Sequence, residues 1–174
     1  MNDLQSKLEQ IKSNESWLEK IKRYIPGYDG YVNRDNSREL DTLLRNKLAV
    51  LMEANKTSLK NTVSALSDSG NLLSVSGLDK IDKKNETVIA KLKSAARGYS
   101  GAFDVIKVKE DKLNQLYQFD GSLLENAETV CKKFRELEDK AKEKVDLKEN
   151  VSEISGSLDE FLNKFNEREE ILKH

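Results

Sequence analysis

Residues 109–146 read KEDKLNQLYQFDGSLLENAETVCKKFRELEDKAKEKVD. Within this stretch Leu113, Leu116, Leu123, Ala127, Val130, Phe134, Leu137 and Ala141 recur at three- and four-residue steps, which puts them on one face of a long helix. The flanking positions are charged, and heptad spacing with charged flanks is the pattern of coiled-coil packing. Asp120-Gly121-Ser122 followed by Glu125 imitates a helix cap. The apolar phase nevertheless continues across the glycine, where a real break would shift it, so the helix reads as continuous. Asp120 then sits on the apolar seam.

The same pattern extends in both directions. Toward the C-terminus, Leu147, Val151, Ile154, Leu158, Phe161, Phe165 and Leu172 mark a helix over 149–172, read as continuous through Gly156. Toward the N-terminus, Leu4, Leu8, Ile11, Leu18, Ile21 and Ile25 outline a first helix over 3–24, with Glu15 interrupting the stripe. Leu40, Leu44, Leu48, Leu51, Val63 and Leu66 outline a second over 37–67, with Ser37 as its cap. Leu78, Ile81, Val88, Ile89, Leu92 and Ala96 outline a third over 78–97, entered through Ser76 and Asp79 and closed by Gly98. The fourth helix is then 109–146. Val105-Ile106-Lys107-Val108 is extended by propensity but too short to found a sheet. A helix of ~35 residues is roughly 50 Å long. The pattern predicts an all-α chain: one elongated antiparallel bundle of four to five coiled-coil-like helices, a single domain over 1–174, with the second and fourth helices as its spine.

Composition supports this and narrows the function. The 174 residues are 35% charged and 37% hydrophobic with one proline, a profile of long helices rather than strands. The formal charge of −1 lacks the basic excess that nucleic-acid binding requires, so no nucleic-acid partner is expected. Cys131 is the only cysteine and falls on an apolar stripe, so neither a disulfide nor a cysteine zinc cluster can form within the chain. Residues 1–11 lack the apolar core of a secretory leader, and no stretch has the ~20 apolar residues of a membrane span. A cytoplasmic location is the expectation.

Two irregular blocks interrupt the helices. Ile25-Pro26-Gly27-Tyr28-Asp29-Gly30-Tyr31 holds the single proline, and Gly98-Tyr99-Ser100-Gly101-Ala102-Phe103-Asp104 echoes it. The first, with Arg34, Arg38-Glu39, Asp41 and Leu44-Arg45, resembles the opening signature of an uncharacterised family of small prokaryotic helical proteins. The second, with Val108, Leu116-Tyr117, Phe119-Asp120 and Leu123-Leu124, is similar to that family's second signature. Asn33, Asn36 and Ala102 depart from the family pattern. The resemblance implies a cytoplasmic helical protein and carries no activity.

Physically, Tyr28, Tyr31, Tyr99 and Phe103 are large amphipathic side chains suited to packing around bundle reversals. Asp120 on a seam must be paired, and Arg38 or Arg45 is the expected partner, with Asp41 and Asp104 in the same network. Pro26, Gly27, Tyr28, Tyr31, Arg38, Asp41, Arg45, Gly98, Tyr99, Phe103, Asp104 and Asp120 together form the candidate junction, read first as a register lock.

No catalytic residue, metal ligand set or cofactor is assigned. His174 is the only histidine, and neither a phosphate-binding glycine loop nor a Glu-x-x-His pair occurs. Three readings stay open. The first is an interaction or scaffold protein that binds a protein partner or itself, using seams over Lys132–Lys173 in excess of what a monomer needs, with Phe161 central. The second is a membrane-surface protein that binds through 3–24, with Trp17, Lys20, Lys22, Arg23 and Tyr24 at the surface. The third is a metal- or small-ligand-binding bundle centred on Asp120.

Overall fold

Every element in the described part of the chain is an α-helix. The computed structural model describes residues 2–30, 34–71, 76–94 and 110–173. Its helices are α1 (Asn2–Tyr24), α2 (Arg34–Asp68), α3 (Ser76–Ser94), α4 (Glu110–Lys142) and α5 (Lys148–Lys173). Buried apolar side chains of all five form one cluster. The helices run unbroken through Gly121 and Gly156. Val105–Val108 and the Gly98–Asp104 block lie outside the described residues.

Cross-helix contacts define the topology. Leu51 meets Cys131 and Asn61 meets Glu138, so α2 and α4 run parallel. Glu53 pairs with Lys93 and Lys56 with Glu86, so α3 runs against α2. Lys133 bonds Ser157 and Lys140 bonds Asn150, so α5 runs against α4. Lys84 pairs with Asp159 and Lys91 with Glu169, so α3 and α5 are parallel. The neighbours α2, α3, α5 and α4 thus close a ring, and α1 packs on the flank of α4. The expected bundle is present, with antiparallel neighbours at α2–α3 and α4–α5.

One reversal differs from the expectation. Trp17, Lys20 and Tyr24 meet Gly121, Glu125 and Glu128 in that order, so α1 runs parallel to α4 and hence to α2. The aromatic turn does not fold α1 back on α2. It starts a return segment that retraces α4, with Tyr28 beside Asp120 and Gly30 beside Tyr117. The Tyr28 amide donates to the Ile25 carbonyl at 3.2 Å, and Gly27 has φ +88°. Proline second and a positive-φ glycine third are the residues of a type II turn. Gly30 has φ +92°, and a Cβ there would lie 2.6 Å from the Tyr117 hydroxyl.

Three finer expectations are corrected. Helix α4 stops at Lys142, short of 146, because Lys144 takes the left-handed conformation at φ +60°. Its amide donates to Ala141 and that of Val145 to Lys140, the paired bonds of a Schellman cap. A lysine in the usual glycine position hid that stop. Val63, assigned to the buried side of α2, is 37% exposed. The buried stripe instead runs Leu48, Met52, Asn55, Leu59, Thr62 and Leu66. Leu4, Leu8 and Ile11 are 74%, 52% and 47% exposed, so the first half of the α1 stripe is uncovered.

The two helical glycines do opposite things. A Cβ on Gly121 would fall 2.2 Å from Trp17 Cε3, so this glycine is the seat that lets α1 approach α4. A Cβ on Gly156 would meet nothing within 4 Å. Gly156→Ala should therefore stabilise the protein by about 0.5–1 kcal/mol in urea titration. Gly121→Ala should destabilise it by about 1–2 kcal/mol despite the same gain in helix propensity. It should also red-shift the fluorescence of Trp17, the sole tryptophan. Equal effects of the two substitutions would refute the seat.

Candidate functional site

The seam aspartate lies in a buried ionic network where the N-terminal halves of α2 and α4 meet the C-terminal turns of α3 and α5. Asp120 comes from α4, Asp41 and Arg45 from α2, Arg168 and Glu169 from α5, and Tyr28 from the return segment. All six are buried, and Arg168 and Asp120 are fully inaccessible. Arg168 crosses the ring: its Nε donates to Asp120 Oδ1 at 2.5 Å and its Nη1 to Asp41 Oδ1 at 2.6 Å. The Tyr28 hydroxyl donates to Asp120 Oδ2 at 2.7 Å. Arg45 Nε donates to Asp41 Oδ2 and Nη2 to Glu169 Oε1, both at 2.7 Å. The Arg45 guanidinium also lies 4.8 Å from the centroid of the Phe165 ring, a cation–π distance. Lys91 Nζ stands 3.6 Å from Glu169 Oε2 at the rim.

Three carboxylates thus face two guanidiniums and one ammonium, so the formal charges cancel. Each buried ion costs several kcal/mol in lost hydration, and charge-assisted hydrogen bonds on every carboxylate offset that cost. The carboxylate oxygens that a cation would need are held by Arg168, Arg45 and Tyr28. Among the described residues no three His, Cys, Asp or Glu side chains are grouped to hold a metal ion.

The structure brings Tyr28, Asp41, Arg45 and Asp120 together as one cluster. Arg168 takes the place beside Asp120 expected of Arg38 or Arg45, and Arg45 bonds Asp41 and Glu169. Arg38 is half-buried at the start of α2, and Pro26 and Gly27 are exposed at the tip of the turn. Tyr31, Gly98, Tyr99, Phe103 and Asp104 lie outside the described residues. Arg168 is not among the candidate junction residues, although the sequence signals it. The stripe Phe161, Phe165, Leu172 skips one inward position, and Arg168 fills it. Asn55 and Asn85 fill the same kind of gap in α2 and α3. Asn55 Nδ2 donates to Asn85 Oδ1 at 3.0 Å, and Asn85 Nδ2 to the Met52 carbonyl at 2.9 Å.

Surfaces proposed from sequence also redistribute. The seams over 132–173 are spent inside the bundle: Phe134, Leu137, Ile154, Leu158, Phe161 and Phe165 are all buried. Phe161 is therefore a core residue and not a docking residue. In the C-terminal half of α1, Trp17 packs on Gly121 and Lys20 sits over the Trp17 ring while pairing with Glu125. Tyr24 donates to Glu128 at 2.8 Å. These side chains are engaged with α4. The Cys131 thiol donates to the Leu51 carbonyl, and burial pushes its pKa from 9.0 up to about 11.

Compared with protein-family models, curated proteins and solved structures, the chain matches none.

Arg168→Met should cost about 3–5 kcal/mol, because Asp120 and Asp41 stay buried without their shared cation. At this chain length that is a fall in Tm of roughly 10 °C. A loss below about 1 kcal/mol would mean that the cluster is hydrated and not sealed. Cys131 predicts an alkaline effect. Its folded-state pKa is raised, so its contribution is complete below pH 9 and is lost as pH rises toward 11. Cys131→Ser, which keeps a donor for Leu51, should flatten the fall in urea midpoint over that window. An unchanged slope would show that other groups set it.

Proposed function

We propose that this protein is a non-enzymatic helical interaction module: a sealed four-helix body that carries α1 as a docking helix. The observation that supports this reading is the exposed face of Leu4, Leu8 and Ile11 on the first half of α1. Among the described residues these three are the most contiguous of the exposed large apolar side chains, since Val50, Val63 and Val145 stand apart from one another. A 4-3 apolar spacing on an otherwise exposed helix is the form taken by helix-in-groove and helix-pairing contacts.

The competing readings have less behind them. A ligand site centred on Asp120 has its oxygens occupied by the protein's own donors. The groove between α2 and α3, lined by Leu59, Val63 and Leu78, is spanned by the Lys56–Glu86 ion pair at 2.5 Å. Membrane association through α1 would need its aromatic and basic side chains free, and Trp17, Lys20 and Tyr24 are engaged with α4. Among the described residues no helix is long and apolar enough to cross a membrane. A cytoplasmic setting fits this reading, as does the resemblance of the Pro26–Tyr31 and Gly98–Asp104 blocks to a family of small helical proteins.

Photo-cross-linking in the source cells tests the proposal. A benzophenone amino acid at Leu8 should give discrete protein adducts on irradiation, and one at Asn163, exposed on α5, should give none. Absence of protein adducts from Leu8 would overturn the reading.

A further inference from the structure

We infer that α1 and the turn that follows it, through Gly30, form an arm that releases from the four-helix body as one unit while the body stays folded. This goes beyond the docking role of the first half of α1 and does not rest on it, since the contacts concerned belong to the second half. Topology supplies the first reason. Each of α2, α3, α4 and α5 packs on two neighbours in the ring, whereas α1 lies on the flank of α4. The chain passes from arm to ring once, ahead of α2 at Arg34, so release draws no other helix with it. In the first half of α1, Leu4 through Glu9 are six consecutive exposed residues, so that half buries little against the body.

The second reason is how the arm is fastened. Ile21, Ile25 and Tyr28 are its buried large side chains, with Trp17, Leu18 and Tyr24 partly buried against the same core. Its peripheral polar contacts hold weakly. The Lys20 and Glu125 side chains are 40% and 46% exposed, and an ion pair that open contributes little. The Tyr24–Glu128 bond is exposed as well. The body is held by contacts that the arm does not enter. Arg168 to Asp41 and Asp120, Arg45 to Glu169, and Asn55 to Asn85 all join one ring helix to another.

Tyr28 decides where the boundary falls. It is the one member of the buried ionic cluster that the arm supplies, and it carries no charge. When the arm leaves, Asp120 loses the Tyr28 hydroxyl from Oδ2 but keeps Arg168 on Oδ1. Water enters the place of the Tyr28 ring and solvates the freed oxygen. The cluster stays neutral, so release avoids the uncompensated buried charge that makes breaking such a cluster costly. Withdrawal of α5 would instead strip the cation from Asp120 and Asp41. Release bares Trp17, Ile21, Ile25 and Tyr28 on the arm and Gly121 on α4, which makes it a two-state element that differential binding can bias.

Native-state amide exchange of the intact chain in low urea tests this. The amides of Ile25 and Tyr28, bonded to the Ile21 and Ile25 carbonyls, should share one opening with the amide of Ile21. That opening should make them exchange roughly a hundredfold or more faster than the amides of Met52 and Phe134 in the ring core. Destabilising the ring should not touch it, because the fastened and released states share the folded ring. Ile154→Val, in the buried core of α5, should therefore speed exchange at Met52 and Phe134 about fivefold and leave Ile21 and Ile25 unchanged. Ile21→Val should speed both sets about fivefold, since only the fastened state loses packing. Arm amides that exchange as slowly as those of the ring, or that speed up with the ring in Ile154→Val, would overturn separate release. A graded rise in exchange rate from Tyr28 back to Ile21 would show fraying and overturn release as a unit.

Discussion

The guanidinium of Arg168 is the point on which the packing of this bundle depends. It extends from the C-terminal turns of α5 across the ring of helices and grips Asp120 of α4 and Asp41 of α2 with separate nitrogens. Through Asp120 it also holds Tyr28, and therefore the return segment that ties α1 to the bundle. Through Asp41 it meets Arg45, which closes the loop back to Glu169 on α5. A lysine could not take this place, because one ammonium lacks the planar fork that reaches two carboxylates in fixed directions.

Much of the architecture was legible because the apolar repeat is so regular. The helices, their order and the continuity of α4 and α5 across their glycines all follow from a phase that never shifts. What stayed hidden were the polar residues inside that phase. Asp120 stood out because a carboxylate on a seam is costly. Arg168, Asn55 and Asn85 did not, since a list of apolar positions passes over them and leaves gaps of seven residues at Arg168 and Asn85 and of twelve at Asn55. Such a gap in an otherwise regular seam still marks an inward residue. The direction of α1 was illegible for another reason. A proline-glycine turn announces a change of course, but the length of chain spent retracing α4 depends on tertiary contacts at Tyr28 and Gly30.

The division of labour within α1 also follows from packing. Its C-terminal half is fastened by the Trp17–Gly121 approach, the Lys20–Glu125 and Tyr24–Glu128 contacts, and the buried Ile21 and Ile25. Its N-terminal half carries Leu4, Leu8 and Ile11 at the same heptad spacing, and these three side chains stay exposed. The interior of the bundle, by contrast, has its charges neutralised and its seams filled. The exposed apolar ridge therefore lies on the first half of α1, while the seams over 132–173 are buried.

A perfect heptad seam has a weakness that the buried polar groups repair. From Leu147, just before α5, the inward positions Leu147, Val151, Ile154, Leu158, Phe161, Phe165, Arg168 and Leu172 alternate in steps of four and three. Sliding this helix by seven residues, about 10.5 Å, would set apolar side chains on apolar side chains again at almost every layer. Only the Arg168 layer would fail, leaving Asp120 and Asp41 buried without a cation. The same degeneracy between α2 and α3 is broken by Asn55 and Asn85, whose mutual hydrogen bond exists in one register alone. The two polar layers lie at different heights and tie different helices. The ionic layer fixes α5 and the return segment to α2 and α4, and the amide layer fixes α3 to α2. Apolar burial drives association of these helices, and the polar exceptions select which of several nearly equivalent alignments is the folded one.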